Sequence, residues 1–216
     1  MVDCIRLQQL GRRFQRQWLF RAVDAEFFKG DRVAVLGGNG SGKSSITSMI
    51  AGFLSPSEGE IEWFNEGQKI ASENWWQKVA WCSPALDLPL GLSIEEVVEL
   101  YFQMRGFRMN CSKESVLQAL ELNAHLSKPL SQLSSGMRQR VKLMLAFSID
   151  AEVLILDEPT THLDAQSIAW YKRHLSEARH HFVFVASNHD KNEIVFCNKS
   201  IEIIPGGQVL ASHLQS

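Results

Sequence analysis

Arg32-Val-Ala-Val-Leu-Gly-Gly-Asn-Gly-Ser-Gly-Lys-Ser-Ser45 is the stretch from which the rest of the chain is read. Its first five residues hold an apolar run without alternation, which suits a short strand buried on both faces. Gly37-Gly38-Asn39-Gly40-Ser41-Gly42-Lys43-Ser44 then satisfies G-x-x-x-x-G-K-[ST]. Glycines let the backbone fold tightly enough for successive N–H groups to converge on an anion. A helix opening at Lys43, Ser44 and Ser45 would add its positive end to that anion site. Lys43 has the length to reach terminal phosphates, and the Ser44 hydroxyl is a hard oxygen donor for Mg²⁺. The competing dinucleotide fingerprint would leave Lys43-Ser44 unexplained and lacks an acidic residue at a suitable distance. The loop therefore predicts binding of a nucleoside triphosphate.

Working outward, residues 1 to about 30 alternate apolar and polar, as in Cys4-Ile-Arg-Leu, and read as antiparallel strands. After the loop, Ile46, Met49, Ile50 and Phe53 share one face of a predicted helix, with Gly52 near its end. Gly59-Glu-Ile-Glu-Trp-Phe64 reads as strand again. From about residue 84 to 147 the pattern turns helical. Ser93 and Glu96 form a capping box ahead of Ile94, Val97, Val98, Tyr101 and Phe102. A second helix is expected from Lys113 to Leu122 and a third from near Ser134, with Val141, Met144, Leu145 and Ile149 on its apolar face. Val153–Leu156 and Phe182–Ala186 are apolar runs separated by a helix around Ile168 to Arg179. Strands alternating with helices predict an α/β fold with a mostly parallel sheet covered on both faces. A single domain over 1–216 follows, with a core and antiparallel β subdomain at about 1–83 and 150–216 and a helical insert at about 84–149.

Val153-Leu-Ile-Leu156 ends in Asp157-Glu158-Pro159. A buried strand that delivers two carboxylates at its carboxyl end places them where open α/β sheets bind ligands. Asp157 is the candidate Mg²⁺ holder beside Ser44. Glu158 is the candidate base that orients and deprotonates an attacking water, and Lys43 completes the catalytic set.

Composition removes other classes. The 216 residues carry 22 Lys+Arg against 24 Asp+Glu, a net charge of −2, too balanced for a protein that coats nucleic acid. The longest apolar runs are five residues, whereas a membrane-spanning helix needs about 20. Cys4, Cys82, Cys111 and Cys197 are dispersed with no C-x-x-C pair, so a disulfide framework or zinc knuckle has no support. His174, His180 and His181 lie on or after a polar helix and read as a solvated face. Trp63, Trp75, Trp76 and Trp81 read as core or half-buried packing.

Five elements in order resemble the ATP-binding cassette (ABC) ATPases over essentially the whole chain. They are the phosphate loop at 37–44, Leu133-Ser134-Ser135-Gly136-Met137 where the family has LSGGQ, Asp157-Glu158-Pro159, Thr161-His162-Leu163-Asp164, and Ser187-Asn188-His189-Asp190. The resemblance implies a P-loop NTPase core and hydrolysis of ATP with Mg²⁺. It also implies a head-to-tail dimer that sandwiches ATP, with Ser134, Ser135, Gly136 and Asp164 at the interface. In such a dimer Ser134 and Gly136 contact the γ-phosphate of the opposite site, and His189 bonds the γ-phosphate and the water. An aromatic residue ahead of the loop stacks on adenine, with Phe14 the candidate and Trp18 the runner-up. Two departures stand out. The loop Val79–Pro84 has no glutamine, its place being taken by Ser83 or Pro84, and Ser135 and Met137 replace glycine and glutamine in the signature. With no span of its own, the chain is expected to sit on the cytoplasmic face of a membrane and energise a separate permease subunit. The alternative is a soluble, non-transport ABC ATPase, an assembly factor or nucleotide-gated module.

Overall fold

The computed structural model describes residues 1–109, 111–204 and 207–213. The strand that ends in the phosphate loop, β3 (Arg32–Gly37), lies inside a six-stranded sheet. Its order is β10 (Val209–His213), β9 (Lys199–Ile203), β3, β8 (Phe182–Ser187), β7 (Val153–Asp157), β6 (Val79–Cys82). All neighbours are parallel except β10, which runs antiparallel to β9. The register matters for function: Leu36 pairs with Ser187 and Asp157 with Ala186. The phosphate loop, the acidic pair and the segment leading to His189 therefore leave the sheet along one edge.

Period-two alternation inside the buried strands explains their unbroken apolar sequences. Leu154, Leu156, Val183 and Val185 face a helical layer and pack with Val141, Leu145, Trp170 and Tyr171. Val153, Ile155, Phe182 and Phe184 face the other way and pack with Ile46 and Ile50 of α1 (Lys43–Ile50). That second face is closed by a four-stranded antiparallel sheet, ordered β2 (Gln17–Phe28), β1 (Cys4–Phe14), β4 (Glu58–Asn65), β5 (Gln68–Ile70), which contributes Ile5, Leu7 and Phe20. Both faces of the parallel sheet are thus desolvated, and polar residues have no place in β7 before its last position.

The helical layer comprises α2 (Ile94–Arg105), α3 (Lys113–Ala119), α4 (Ser135–Ser148) and α5 (Ala165–Glu177). Ser93 and Glu96 form the reciprocal capping box expected of them, Ser134 caps α4 and Asp164 caps α5. Val97, Val116 and Val141 belong to the same apolar cluster as Leu154, so residues 84–149 share their core with one face of the sheet.

Two expectations change. Phe53 is not on the buried face of α1: the helix stops at Ile50, Gly52 turns the chain at φ +79°, and Phe53 is left exposed, stacked on Trp81 at 5.1 Å. His180 is not solvated. It is buried at the end of the sheet opposite the phosphate loop, and neither ring nitrogen has a hydrogen-bond partner among the described residues. Burial, with Arg108 and Arg32 adding like charge, pushes its imidazole down to about 2. Those arginines give their own donors to carbonyls, Arg32 to Leu175 and Ala178, Arg108 to Ile149 and Ala151. Trp63 and Trp75 are core and stack at 4.7 Å, whereas Trp76 is exposed.

Candidate nucleotide site

Gly37-Gly38-Asn39-Gly40-Ser41-Gly42 bridges β3 and α1 in the manner the sequence predicts. Gly42 is the N-cap at φ 110°, and a Cβ there would lie 2.9 Å from the Phe20 ring, so both backbone and packing demand glycine. It has no side chain to cap the helix, and the first-turn amides of Lys43, Ser44 and Ser45 are not taken by a side-chain cap. Ser41 N–H donates to the Gly38 carbonyl at 3.2 Å, tightening the loop.

Lys43 is buried and folds over the loop, its Nζ donating to the carbonyls of Gly37 at 2.9 Å and Gly38 at 3.1 Å. The same Nζ is 4.0 Å from Oε1 of Glu158, which is partly exposed. Glu158 adopts φ +46°, a strained setting for a non-glycine residue, immediately after the buried end of β7. Asp157 is buried, and its carboxylate accepts a hydrogen bond from the Ser83 hydroxyl at 3.5 Å. Burial pushes the Asp157 carboxyl up from its ordinary value and Glu158 adds to this, while Ser44, Lys43 and Ser83 pull it back. Ser44, Lys43, Asp157 and Glu158 are thus brought together from two strands that are not adjacent in the sheet.

The donor set answers whether Mg²⁺ would fit. Ser44 and Asp157 offer a hydroxyl and a carboxylate, near enough that Ser44 favours the ionised form of Asp157, with no nitrogen or sulfur among them. Oxygen donors of this kind suit Mg²⁺, which takes one or two protein ligands and keeps several waters. The residues present fit the ion.

A cavity of about 430 Å³ lies beside the loop, lined by Gly38, Asn39, Gly40 and Ser41 on one side and by Gln17, Trp18 and Leu19 on the other. Of the two aromatic candidates, Trp18 lines that cavity. Phe14 lies at the hairpin tip, paired with Gln17, and is 61% exposed. Trp18 is covered by Arg21, whose guanidinium sits 4.3 Å from the ring centroid. A larger cavity of about 780 Å³ lies elsewhere, lined by Arg108, Phe147, His174 and Arg179 among others, and touches none of the candidate residues.

The signature segment is on another side of the molecule. Ser134 Oγ accepts from the Met137 N–H at 3.2 Å as an exposed N-cap, and Ser135 is exposed. Ser135 lines a separate cavity with Thr161 and His162 that shares no residue with the one beside the phosphate loop. A Cβ at Gly136 would stand 2.7 Å from the His162 carbonyl, so glycine lets the start of α4 touch the 161–164 loop. Asp164 caps α5 by accepting from the Ser167 N–H at 2.8 Å, and this bond holds its carboxyl low. His189 adopts φ +60° in the loop after β8 and points Nε2 toward Glu202, 3.5 Å away, both half-exposed.

Sequence reasoning missed several residues that tie these parts together. Gln139 of α4 is buried and donates to the Pro159 carbonyl at 3.0 Å, and Lys142 donates to the carbonyls of Ser83 and Leu86. Glu193 is buried and accepts from Thr160. A polar residue on the inner face of α4, against its apolar period, was the available signal for Gln139. Glu193 lies in irregular backbone and gives none.

A sequence profile described as ABC transporter matches residues 20–161. YfmM, an ABC transporter ATP-binding protein of Bacillus subtilis (strain 168), is 29% identical, the match covering 94% of this chain and 44% of that protein. CcmA of Zymomonas mobilis subsp. mobilis, a cytochrome c biogenesis ATP-binding export protein, is 32% identical over 77% of this chain and 66% of its own. The ribosome protection protein VmlR of Bacillus subtilis (strain 168) is 30% identical over 92% of this chain. The chain spans 44% of the length of YfmM and 35% of VmlR. Among solved structures, a dimeric post-hydrolysis state of the ATP-binding cassette MJ0796, bound to ADP and Pi, superposes with a TM-score of 0.79. It is 22% identical, covers 98% of this chain and 99% of that one, and shows the likeness of fold. The family match begins in β2, passes through the phosphate loop and ends beyond the acidic pair, so it takes in Lys43, Ser44, Asp157 and Glu158 though not Trp18 or His189, and the chain belongs to the ABC transporter family.

Proposed function

We propose that the chain binds and hydrolyses ATP with Mg²⁺ and that it does so as a dimer powering a separate transmembrane subunit. The observation that carries the catalytic reading is the convergence of Lys43, Ser44, Asp157 and Glu158 at one sheet edge. Loop amides and Lys43 would hold the β- and γ-phosphates, Lys43 turning from the Gly37 and Gly38 carbonyls to phosphate oxygens of greater charge. Ser44 and Asp157 would hold Mg²⁺, which when bound neutralises charge on the phosphates. Glu158 orients the attacking water and takes its proton, and His189 steadies the γ-phosphate from the neighbouring loop. Phe14 at the exposed hairpin tip and Trp18 on the cavity are the two candidates for the aromatic wall of the base. Ser134 and the amides around Gly136 form an exposed helix-start anion site that only a second cassette can bring to this pocket.

No helix among the described residues is long and apolar enough to cross a membrane. Leu86, Leu90, Phe102 and Met104 are exposed near a groove lined by Trp81, Leu88, Tyr101 and Leu145. Such a rim supports an apolar protein partner, and the transporter relatives support a permease at the cytoplasmic face of a membrane. The second reading, a soluble cassette, is favoured by the likeness to a ribosome protection protein.

One experiment tests the catalytic core: ATP turnover in Mg²⁺ for the unaltered chain and for Glu158→Gln. Turnover should fall at least about 100-fold in the variant while ATP binding is retained. Equal turnover in the two proteins would remove Glu158 from the role of base. Purification from membranes in mild detergent separates the partner readings: a co-purifying membrane protein supports the permease, and recovery only as a free soluble protein supports the rival.

A further inference from the structure

Glu193 is a charged side chain in the interior with no part in the chemistry described so far. It is 4% exposed and lies beyond the His189 loop in irregular backbone. Its Oε1 accepts from the Thr160 N–H at 3.1 Å and from the Thr160 hydroxyl at 2.8 Å, and the nearby Ser187 hydroxyl helps to stabilise the carboxylate charge. Thr160 belongs to the loop that follows Glu158, and Ser187 to the end of β8 that leads to His189. The Asp190 N–H donates to the Ser187 hydroxyl at 3.0 Å, and Thr160 Oγ1 lies 3.4 Å from Asp190 Oδ2. From α5, the Tyr171 hydroxyl donates to the Glu193 backbone carbonyl at 3.0 Å, fixing the point from which the side chain reaches.

The two loops joined in this way both hold strained backbone. Glu158 has φ +46°, His162 φ +68° and His189 φ +60°, none of them glycine. Conformations of this kind persist only where the surroundings over-determine them. Burial disfavours a charge at Glu193, and Asp190 adds repulsion. The Thr160 N–H and hydroxyl converge on one carboxylate oxygen, Oε1, which has a lone pair for each.

We propose that Glu193 is a positioning residue for hydrolysis: its carboxylate clasps Thr160 through two bonds and so keeps the Glu158 loop in register with the His189 loop, from beyond whose end it reaches. The proposal rests on Glu158 being the base, and it assigns Glu193 no contact with nucleotide. Glutamine at 193 preserves volume but offers a neutral oxygen where the two Thr160 donors now meet a charged one, so Glu193→Gln weakens both bonds. Thr160→Val removes the hydroxyl bond, and Thr160→Ser keeps it.

The test is steady-state ATP turnover of the full chain with these variants. Glu193→Gln and Thr160→Val should each lower kcat about tenfold with KM for ATP within about twofold, and the double variant should be no worse than either alone. Thr160→Ser should restore kcat to near that of the unaltered chain. Unchanged kcat in Glu193→Gln, additive losses in the double variant, or a rise in KM without loss of kcat would overturn the clasp. If Glu193→Gln does not fold, the Thr160→Val and Thr160→Ser pair still decides, since equal rates in the two remove any role for the hydroxyl bond. Failure of the parent reading looks different: Glu158→Gln then turns over as fast as the unaltered chain, or the unaltered chain is inert, and the clasp falls with it.

Discussion

Asp157 shows how much one short side chain can matter. Its carboxylate is buried, and burial alone would hold its proton on; the hydroxyls of Ser44 and Ser83 and the charge of Lys43 oppose this. Ser83 occupies the place where the family resemblance led one to look for a longer glutamine, and it reaches Asp157 only at 3.5 Å, near the limit of a hydrogen bond. Its Oγ also accepts from the Ala85 N–H at 3.2 Å, so the hydroxyl turns the chain as well as touching the acid. Ser83→Ala removes both bonds. The Mg²⁺ concentration for half-maximal ATP turnover should then rise about two- to fivefold, the range expected when one modest hydrogen bond to a charged group is lost. An unchanged Mg²⁺ titration would show that Ser83 does not act through Asp157. The residues themselves announced Lys43, Ser44, Asp157 and Glu158, because a phosphate loop and an acid-tipped buried strand are local patterns. That Trp18 lines the cavity while Phe14 is exposed at the hairpin tip was not legible, since the register shifts that set the two apart in space arise from the pairing of β1 with β2 and β4.

At the level of elements, α4 joins the site to the core at both its start and its flank. Its first turn touches the His162 carbonyl at Gly136, its Gln139 holds the Pro159 carbonyl, and its Lys142 grips the loop after β6. Alanine is favoured over glycine inside a helix by about 1 kcal/mol, so propensity alone says Gly136→Ala should stabilise. Packing says the opposite: a Cβ 2.7 Å from a backbone carbonyl cannot be accommodated without a shift. We expect packing to win, with a net loss of about 1–3 kcal/mol in urea unfolding, and Ser135→Ala, exposed one residue earlier, to stay within about 0.5 kcal/mol. A Gly136→Ala protein as stable as the unaltered chain would mean that α4 and the 161–164 loop move apart freely. The same contrast explains what was legible. Strands β7 and β8, the capping box of α2 and the Ser134 cap of α4 follow from runs and spacings a few residues long. The end of α1 near Gly52 was legible as well, but not that the turn there carries Phe53 outward although its spacing continues the apolar period. The contact that requires Gly136 joins residues far apart in the chain and leaves no local trace.

Across the whole molecule the parallel sheet has two unlike edges. One carries the phosphate loop and the acidic pair; the other ends in His180, buried against Arg32 and Arg108 with both ring nitrogens unpartnered among the described residues. Composition could not distinguish this histidine from His174 and His181, which are only partly buried, since nothing local to residue 180 marks it for the interior. The consequence is a pH dependence of stability. Folded, the imidazole titrates only at about 2; unfolded, it titrates near its ordinary value of 6.5. As pH falls below about 6.5 the unfolded chain takes up a proton that the folded one refuses, so stability present above that pH is lost progressively toward 2. Between pH 7.5 and 5.5 the loss from this group should be roughly 1 kcal/mol, read from urea midpoints at the two pH values. His180→Phe keeps the ring, removes the unpartnered nitrogens and cannot titrate. It should be at least as stable as the unaltered chain at pH 7.5 and should lose less on acidification, the difference between the two slopes being the share of His180. If both proteins show the same slope, the imidazole takes up its proton as readily folded as unfolded, and the burial seen at this edge of the sheet does not hold in solution.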